Sequence, residues 1–523
     1  MTTTSEIRPA HDVTAKEIDF AAAPEVMDQI RAQGLRIVQC HGTFDLVHPG
    51  HIVHFEEAHA FGDILVVTIT AAKHVNKGPG RPFFDDVLRV KALAALSIVD
   101  YVVVVPFPAA VEAIECIRPH VYCKGKEYEN QANDVTGNIA DDVATVAKVG
   151  GVVRYVGSIT FSSTKLINNA LSNLPQEISD FCRKLSHIVS PPEFIAAVND
   201  FSKLKVLVVG DVIFDRYTAV HVQGLTSKNR TMSARRLSEE THHGGALAVY
   251  RHIRAFTERV DFFSITGTEP WAADLIAQVI PEEHNYLLRL DDFTTIVKQR
   301  FIEHSKRTRE VNKLFALNYI DAKAPGADVE ERLCHQLAAL IPDYDLVVVA
   351  DFGHGLMLPR VREIVQERAT YLALNCQTNS NNHGFNIIDR QYHRVDAFTL
   401  DEEELILSCG RRSPDHVTEL ADLRRRLGAT YGWLTRGGYE TIGATASGGI
   451  FHMPVLEQQV TDTVGAGDAV FSLAALSARA GLPLHLATFL GQLAGAQKVR
   501  VMGNAEGVRK DRLLKAGISL LSY

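Results

Sequence analysis

Apolar and polar positions trade places along the first third of the chain in a regular rhythm. Residues 1 to about 20 are polar, and Pro24 to Gln33 has the length of one short helix. From Arg36 the order is IVQC, a helix near 49–60, DILVVTITA, a helix near 85–97, YVVVVP, a helix near 108–117, VYCKG and a helix near 138–148. Short apolar runs alternating with helix-length amphipathic segments predict βαβ units, hence a parallel sheet flanked by helices. In such a sheet ligands bind beyond the carboxyl ends of the strands.

The rhythm stops after about residue 170. Residues 171–203 are helical in pattern and charged in patches, with a Ser-Pro-Pro break at 190–192 that disfavours continued helix. A new buried-type strand then opens in KVLVVGDVIFDRY. The expected organisation is a polar tail and short helix over 1–34, a first α/β domain over 35–170, a helical linker over 171–203 and a second α/β domain over 204–523.

Composition narrows the function classes. With 22% charged and 46% hydrophobic residues the chain reads as an ordinary globular protein, and its net charge of −8 gives no electrostatic reason to expect nucleic acid. No apolar segment has signal-peptide or bilayer-spanning length, so no membrane association is expected. Seven cysteines without a CxxC pair predict free thiols in a reducing compartment, and a cytoplasmic location.

The candidate chemistry begins in RIVQCHGTFDLVHPGH, where an apolar run passes through Gly42, Thr43, Phe44 and Asp45 to His48 and His51. If Pro49 starts a helix, both imidazoles share one face of its first turn, beside N–H groups that no helical carbonyl uses. Alone, such a pair would be a solvated helix face; after a strand and a glycine turn it resembles the HxGH nucleotidyltransferases of the cytidylyltransferase-like superfamily. Lys77, Gly78, Gly80 and Arg81 follow the second strand, where glycines allow close approach and cations can meet phosphates. RPHVYCKGKEY, with Lys124, is similar to the RPDxxVKGxxY segment of heptose adenylyltransferases, and TFSSTKL to the ISSTxI signature. Ser162, Ser163 and Thr164 would otherwise be a simple N-cap. The resemblance, over about 35–170, implies nucleotide and phosphate contacts from Gly42, Thr43, Phe44, Lys77, Arg81, Lys124, Ser162, Ser163 and Thr164, and transition-state contacts from His48 and His51.

In the second half TDTVGAGDAVFSLAAL places Gly465, Ala466 and Gly467 before an apolar helical run, so their N–H groups can form an anion hole with Asp468 at its mouth. The stretch resembles the second signature of ribokinase-like (PfkB) sugar kinases, which implies that Asp468 is the base for the attacking hydroxyl. By the same resemblance Asp211 and Asp215 hold sugar hydroxyls, Gly244 and Gly245 are the glycine pair of the first signature, and Asp401 and Glu404 organise magnesium and phosphates. ADFGHGLM is similar to the SDYxKGxL loop of heptose kinases. Five positions depart from the pattern: Ala248 and Asp401 replace asparagines, and Asn375, Cys376 and Gln377 stand where heptose kinases have Asp-Pro-Lys.

Together the halves resemble the bifunctional heptose-phosphate kinase/heptose 1-phosphate adenylyltransferase family with the domain order reversed. That implies Mg²⁺, ATP for the kinase half, ATP or CTP for the transferase half, sugar or polyol phosphates as partners, and a possible homodimer through the kinase domain. The leading expectation is a nucleotide-activated sugar as product. One alternative is a cytidylyltransferase forming a CDP-polyol or CDP-sugar; another is a kinase-like half that only binds or dimerises.

Overall fold

A computed structural model describes residues 13–129, 138–158, 167–168, 174–304, 311–321 and 324–523. The chain divides into two compact units, Met1–Pro191 with Leu514–Tyr523, and Pro192–Leu513. The first division falls within the Ser-Pro-Pro break, at the first residue of helix Pro191–Asp200. The second differs from the sequence-based boundary, because the final ten residues belong to the first unit.

In the first unit the four apolar runs become β2 (Ile37–Gly42), β3 (Ile64–Thr70), β4 (Tyr101–Val105) and β5 (Val121–Gly125), and two strands the pattern did not predict, β1 (Glu17–Ile18) and β6 (Val152–Val156), join them. All pair in parallel, in the order β1-β4-β3-β2-β5-β6. Helices Pro49–His59, Asp86–Ala94, Val111–Ile117 and Asn138–Lys148 alternate with the strands at the expected positions. Successive residues of β2 and β3 face opposite cores: Val38, Leu65 and Val67 pack with Phe55 and Leu93, whereas Ile37 and Val66 pack with Met27 and Ile30. Burial on both faces is why these strands read as continuous apolar runs. Strand order reverses between β2 and β5, which makes the carboxyl end of β2 a topological switch point.

The second unit contains β7 (Val206–Gly210), β8 (Val212–Leu225), β9 (Met232–Gly245), β10 (Val260–Thr266), β11 (Asn285–Arg289), β12 (Ile296–His304), β13 (Val311–Tyr319), β14 (Leu346–Asp351), β15 (Leu372–Cys376), β16 (Ala397–Asp401), β17 (Tyr431–Thr435), β18 (Glu440–Thr445) and β19 (Ile450–Pro454). Nine form a sheet of order β11-β10-β7-β14-β15-β16-β17-β18-β19, parallel up to β17 and antiparallel beyond. A separate four-stranded sheet, β13-β12-β8-β9, carries many exposed side chains. Helix Ala466–Arg479 is buried along most of its length, so the turn before it is firmly placed.

All seven cysteines are free. Among the described residues no helix is long and apolar enough to cross a membrane.

Candidate functional site

Each unit carries a cavity at the positions its motifs mark. In the first, β2 ends at Gly42 and the chain turns through Thr43 and Phe44 before helix Pro49–His59. Phe44 has φ 44°, a left-handed conformation uncommon for a residue with a side chain, and its ring meets His51 edge-on at 5.1 Å between centroids. A Cβ on Gly42 would lie 3.0 Å from that ring, so the turn accommodates glycine there. His48 is the extended N-cap residue, and Pro49 takes the first helical position, where its missing N–H removes no helical bond. One turn on, His51 stacks on His48 with ring centroids 3.9 Å apart.

Two stacked imidazolium ions would repel, and burial prevents that state. Burial first, then the repulsion of His48, His54 and Lys77, holds His51 down to about 3. Burial also lowers His48. The cleft beside them, about 810 Å³, is lined by Gly42, Thr43, Phe44, Lys77 and Lys124 of the expected set. Burial, followed by the charge of Arg81 and aided by Lys515, brings Lys77 down to about 8. Lys124 is 3.0 Å from the carboxylate of Asp142.

Arg81 departs from its expected place on the phosphates, because its guanidinium is engaged elsewhere. It is buried, donates to Asp45 Oδ2 at 3.3 Å and Asn168 Oδ1 at 2.7 Å, and is absent from the cleft lining. Asp45 also accepts the N–H groups of Phe83 and Phe84, so the ion pair fastens the loop that carries Lys77. Ser162, Ser163 and Thr164 lie outside the described residues. Among the lining residues that sequence reasoning passed over are His41, His54 and Lys515. His54 continues the three-residue spacing of His48 and His51, a signal that was readable; Lys515 has no such signal.

In the second unit Gly465 caps helix Ala466–Arg479 with φ 81°, and a Cβ there would run into Asn504 Oδ1. Nothing stands within 4 Å of where a Cβ on Gly467 would be. Gly465, Gly467 and Asp468 line a cavity of about 210 Å³ with Gln377, Asp401 and Glu404. Ala466 is not among the lining residues, and its N–H donates to Thr463 O at 3.2 Å. Burial pushes Asp468 up to about 6, opposed by a 3.0 Å hydrogen bond from Gln377 Nε2 to its Oδ1. The same amide donates to Asn375 Oδ1 at 2.6 Å, so one atypical residue meets the candidate base and a second holds that residue.

Asp211 and Asp215, paired in the sequence, have separate partners. Asp211 accepts the N–H groups of Phe352, His354 and Leu356 on its two oxygens, which orders the loop after β14. Asp215 meets Arg300 at 2.5 Å and Asn504 at 3.2 Å. A Cβ on Gly244 would run into Asp215 Oδ2, which accounts for that glycine, while Gly245 has φ 55°. Arg300 and Lys298, two apart on β12 and therefore on one face, are charged neighbours of Asp215 that sequence reasoning missed. Ala248 is buried within helix Ala246–Arg254 and has no side-chain polar atom to offer.

Asp401 and Glu404 form a capping box: Asp401 Oδ1 accepts from Glu404 N at 2.8 Å, and Glu404 Oε2 accepts from Asp401 N at 2.9 Å. Burial first, then the Asp401 charge, pushes Glu404 up to about 8. Among the described residues no three His, Cys, Asp or Glu gather into a set that would itself hold a metal.

A glycine turn and a stacked histidine pair beyond the carboxyl end of an interior strand, with a buried carboxylate at a helix start in the other unit, define a two-unit α/β architecture of the phosphate-handling class: a Rossmann-like unit and a ribokinase-like unit. Residues 203–511 match the model of the pfkB family carbohydrate kinases, and residues 40–169 that of the cytidylyltransferase-like family. The chain belongs to the pfkB family of carbohydrate kinases and carries a cytidylyltransferase-like domain ahead of the matched region.

Among curated proteins it is similar to the bifunctional protein HldE of Methylococcus capsulatus, 38% identical over 158 residues that make up 30% of this chain and 32% of that protein. HldE of Acidiphilium cryptum is 25% identical over 335 residues, 62% of this chain and 65% of that protein. The chain thus spans about a third of the first relative's length and under two thirds of the second's. Phosphofructokinase-2 from Escherichia coli aligns at TM-score 0.48 and 13% identity over 61% of this chain and 99% of its own. Ribokinase from Thermotoga maritima aligns at 0.46 and 17%, over 59% and 98%.

Proposed function

We propose that the chain is a bifunctional enzyme whose second unit phosphorylates a sugar or sugar phosphate with ATP and whose first unit couples a sugar phosphate to a nucleotide, giving a nucleotide-activated, ADP-heptose-like sugar. The observation that carries the reading is the pairing of stacked His48 and His51, both lowered by burial, with Lys77 and Lys124 around one cleft.

In nucleotidyl transfer an acceptor phosphate oxygen attacks the α-phosphorus of the nucleoside triphosphate, and the bond to pyrophosphate breaks. The attacking oxygen is already ionised, so no general base is required; positioning and stabilisation of negative charge are. Neutral imidazoles donate N–H to the phosphoryl oxygens, and Lys77 and Lys124 hold the triphosphate. In the kinase unit the attacking hydroxyl passes its proton to Asp468 as its oxygen bonds the γ-phosphorus of ATP and ADP leaves. Asp215, held by Arg300 and Asn504, is the carboxylate we assign to the sugar. Mg²⁺, when bound, neutralises phosphate charge; it would take most ligands from phosphate oxygens and water, with Asp401 and Glu404 lining the same cavity.

Exposed Leu225, Met232, Leu237, Phe315 and Leu317 on the four-stranded sheet support a homodimer through the kinase unit, which sedimentation would test. The defining experiment measures pyrophosphate release with ATP and with CTP over sugar 1-phosphates and polyol phosphates, beside ATP consumption on the unphosphorylated and phosphorylated sugars. Turnover of heptose 1-phosphate with ATP supports the proposal. Turnover only with CTP moves the product to a CDP-linked compound, and no release with either nucleotide overturns the transferase half.

A further inference from the structure

The last ten residues are separated in sequence from the rest of the first unit by the whole of the second, yet they fold with the first. They belong to helix Lys510–Leu520 and its tail, and three contacts fix them. Ala516 packs at the Lys77 loop, where a Cβ on Gly78 would lie 3.3 Å from its Cα. Asn168 Nδ2 donates to Ser519 O at 2.7 Å and Ser522 O at 2.8 Å, while its Oδ1 accepts from Arg81. The Tyr523 hydroxyl is 3.3 Å from Ser179 Oγ, and the Arg183 guanidinium lies over its ring. The Arg81–Asp45 pair that fastens the Lys77 loop is therefore continuous, through Asn168, with the carboxyl-terminal segment.

This segment brings Lys515 to the cleft of His48 and His51. The described residues around the cleft carry three lysines, Lys77, Lys124 and Lys515, against one carboxylate, Asp142. Lys515 is close enough for its charge to bear on both Lys77 and His41. A cleft with that balance favours a polyanion, and a lysine from a separate segment adds a cation where the strand-end loops supply only two.

We propose that Lys515 is a third phosphate-contacting cation of the nucleotidyltransferase site, so that triphosphate binding in the first unit requires the carboxyl-terminal segment of the chain. The inference rests on the nucleotidyl-transfer reading of this cleft and adds a binding residue to it.

The test compares full-length wild type, Lys515→Gln and Lys515→Arg in two assays, the KM for the nucleoside triphosphate in pyrophosphate release and the Kd for inorganic tripolyphosphate by calorimetry. Loss of one charge-assisted contact is expected to weaken both roughly ten- to a hundredfold in Lys515→Gln. Lys515→Arg, which keeps the charge, is expected to stay within about threefold, and ATP consumption by the kinase unit to be unchanged in both variants. Equal KM and Kd in Lys515→Gln and wild type overturn the proposal, as does an arginine variant no better than the glutamine one, which would mark a packing role. If wild type releases no pyrophosphate, the transferase reading fails by itself. Tripolyphosphate binding then decides the role of Lys515: a weaker Kd in Lys515→Gln sustains it, and no binding by wild type removes it.

Discussion

The two sites subject opposite kinds of group to the same burial. Removal from water disfavours whichever form is charged, so imidazoles in the first unit are pulled down, His51 to about 3, and Asp468 in the second is pushed up to about 6. Both effects favour the neutral group, but the chemistry proposed for each site uses the result differently. An attacking phosphate needs donors and no base, and a neutral imidazole donates without the cost of a buried cation. An attacking hydroxyl needs an acceptor, and a carboxylate raised toward neutrality is a better base than an ordinary one while still ionised at pH 7.

The largest effects should come from removing the two central groups. His48→Ala is expected to lower pyrophosphate release roughly a hundredfold or more with kinase turnover intact. Asp468→Asn should lower kinase turnover by about a hundred- to ten-thousandfold and leave pyrophosphate release unchanged. Loss of both activities in either variant would break the comparison, because the two sites would then not be independent.

Acidity sharpens it with a smaller effect. Asp468 accepts a proton only when ionised, so kinase kcat/KM should rise with pH to a plateau above about 6 and fall about tenfold per unit below it. His51, held down to about 3, is already neutral across that range, so pyrophosphate release should show no limb near pH 6 from it. Matched profiles of the two activities on one preparation check this; an acid limb shared at pH 6 would contradict the contrast.

Much of this was legible in the sequence because it depends on local pattern. Four of the first unit's six strands with the helices between them, the histidine pair and the turn before Asp468 are each encoded within a few neighbouring residues. What escaped depends on distant partners. Arg81 reads as a phosphate cation until Asp45 and Asn168 are seen around it, and Lys515 lies hundreds of residues from the cleft it lines. The four-stranded sheet escaped for another reason: β9 reads MSARRLSEETHHGG, and a strand with little burial leaves no apolar alternation to find.

Gln377 should give an intermediate effect. Its hydrogen bond opposes the rise in the Asp468 carboxyl, so Gln377→Leu is expected to move the acid limb of the kinase profile to higher pH and lower activity several-fold at neutral pH. The nucleotidyltransferase profile should stay in place. A Gln377→Leu enzyme with an unmoved limb would mean that the amide serves the acceptor and not the base.

The smallest effect is expected at Asp401, where two roles can be separated. The capping box predicts that Asp401→Ala costs about 1 kcal/mol in denaturant unfolding, because the Glu404 N–H loses its acceptor. Asparagine caps a helix nearly as well as aspartate, so Asp401→Asn should unfold like wild type. The family pattern has asparagine here, and a position that accepts either residue depends on the side-chain oxygen as an acceptor, not on its charge. If that is the whole role, both variants keep the KM for magnesium-ATP within about threefold of wild type. A tenfold rise in Asp401→Asn, with stability unchanged, would show that the extra negative charge in this chain acts on the cation and not on the helix.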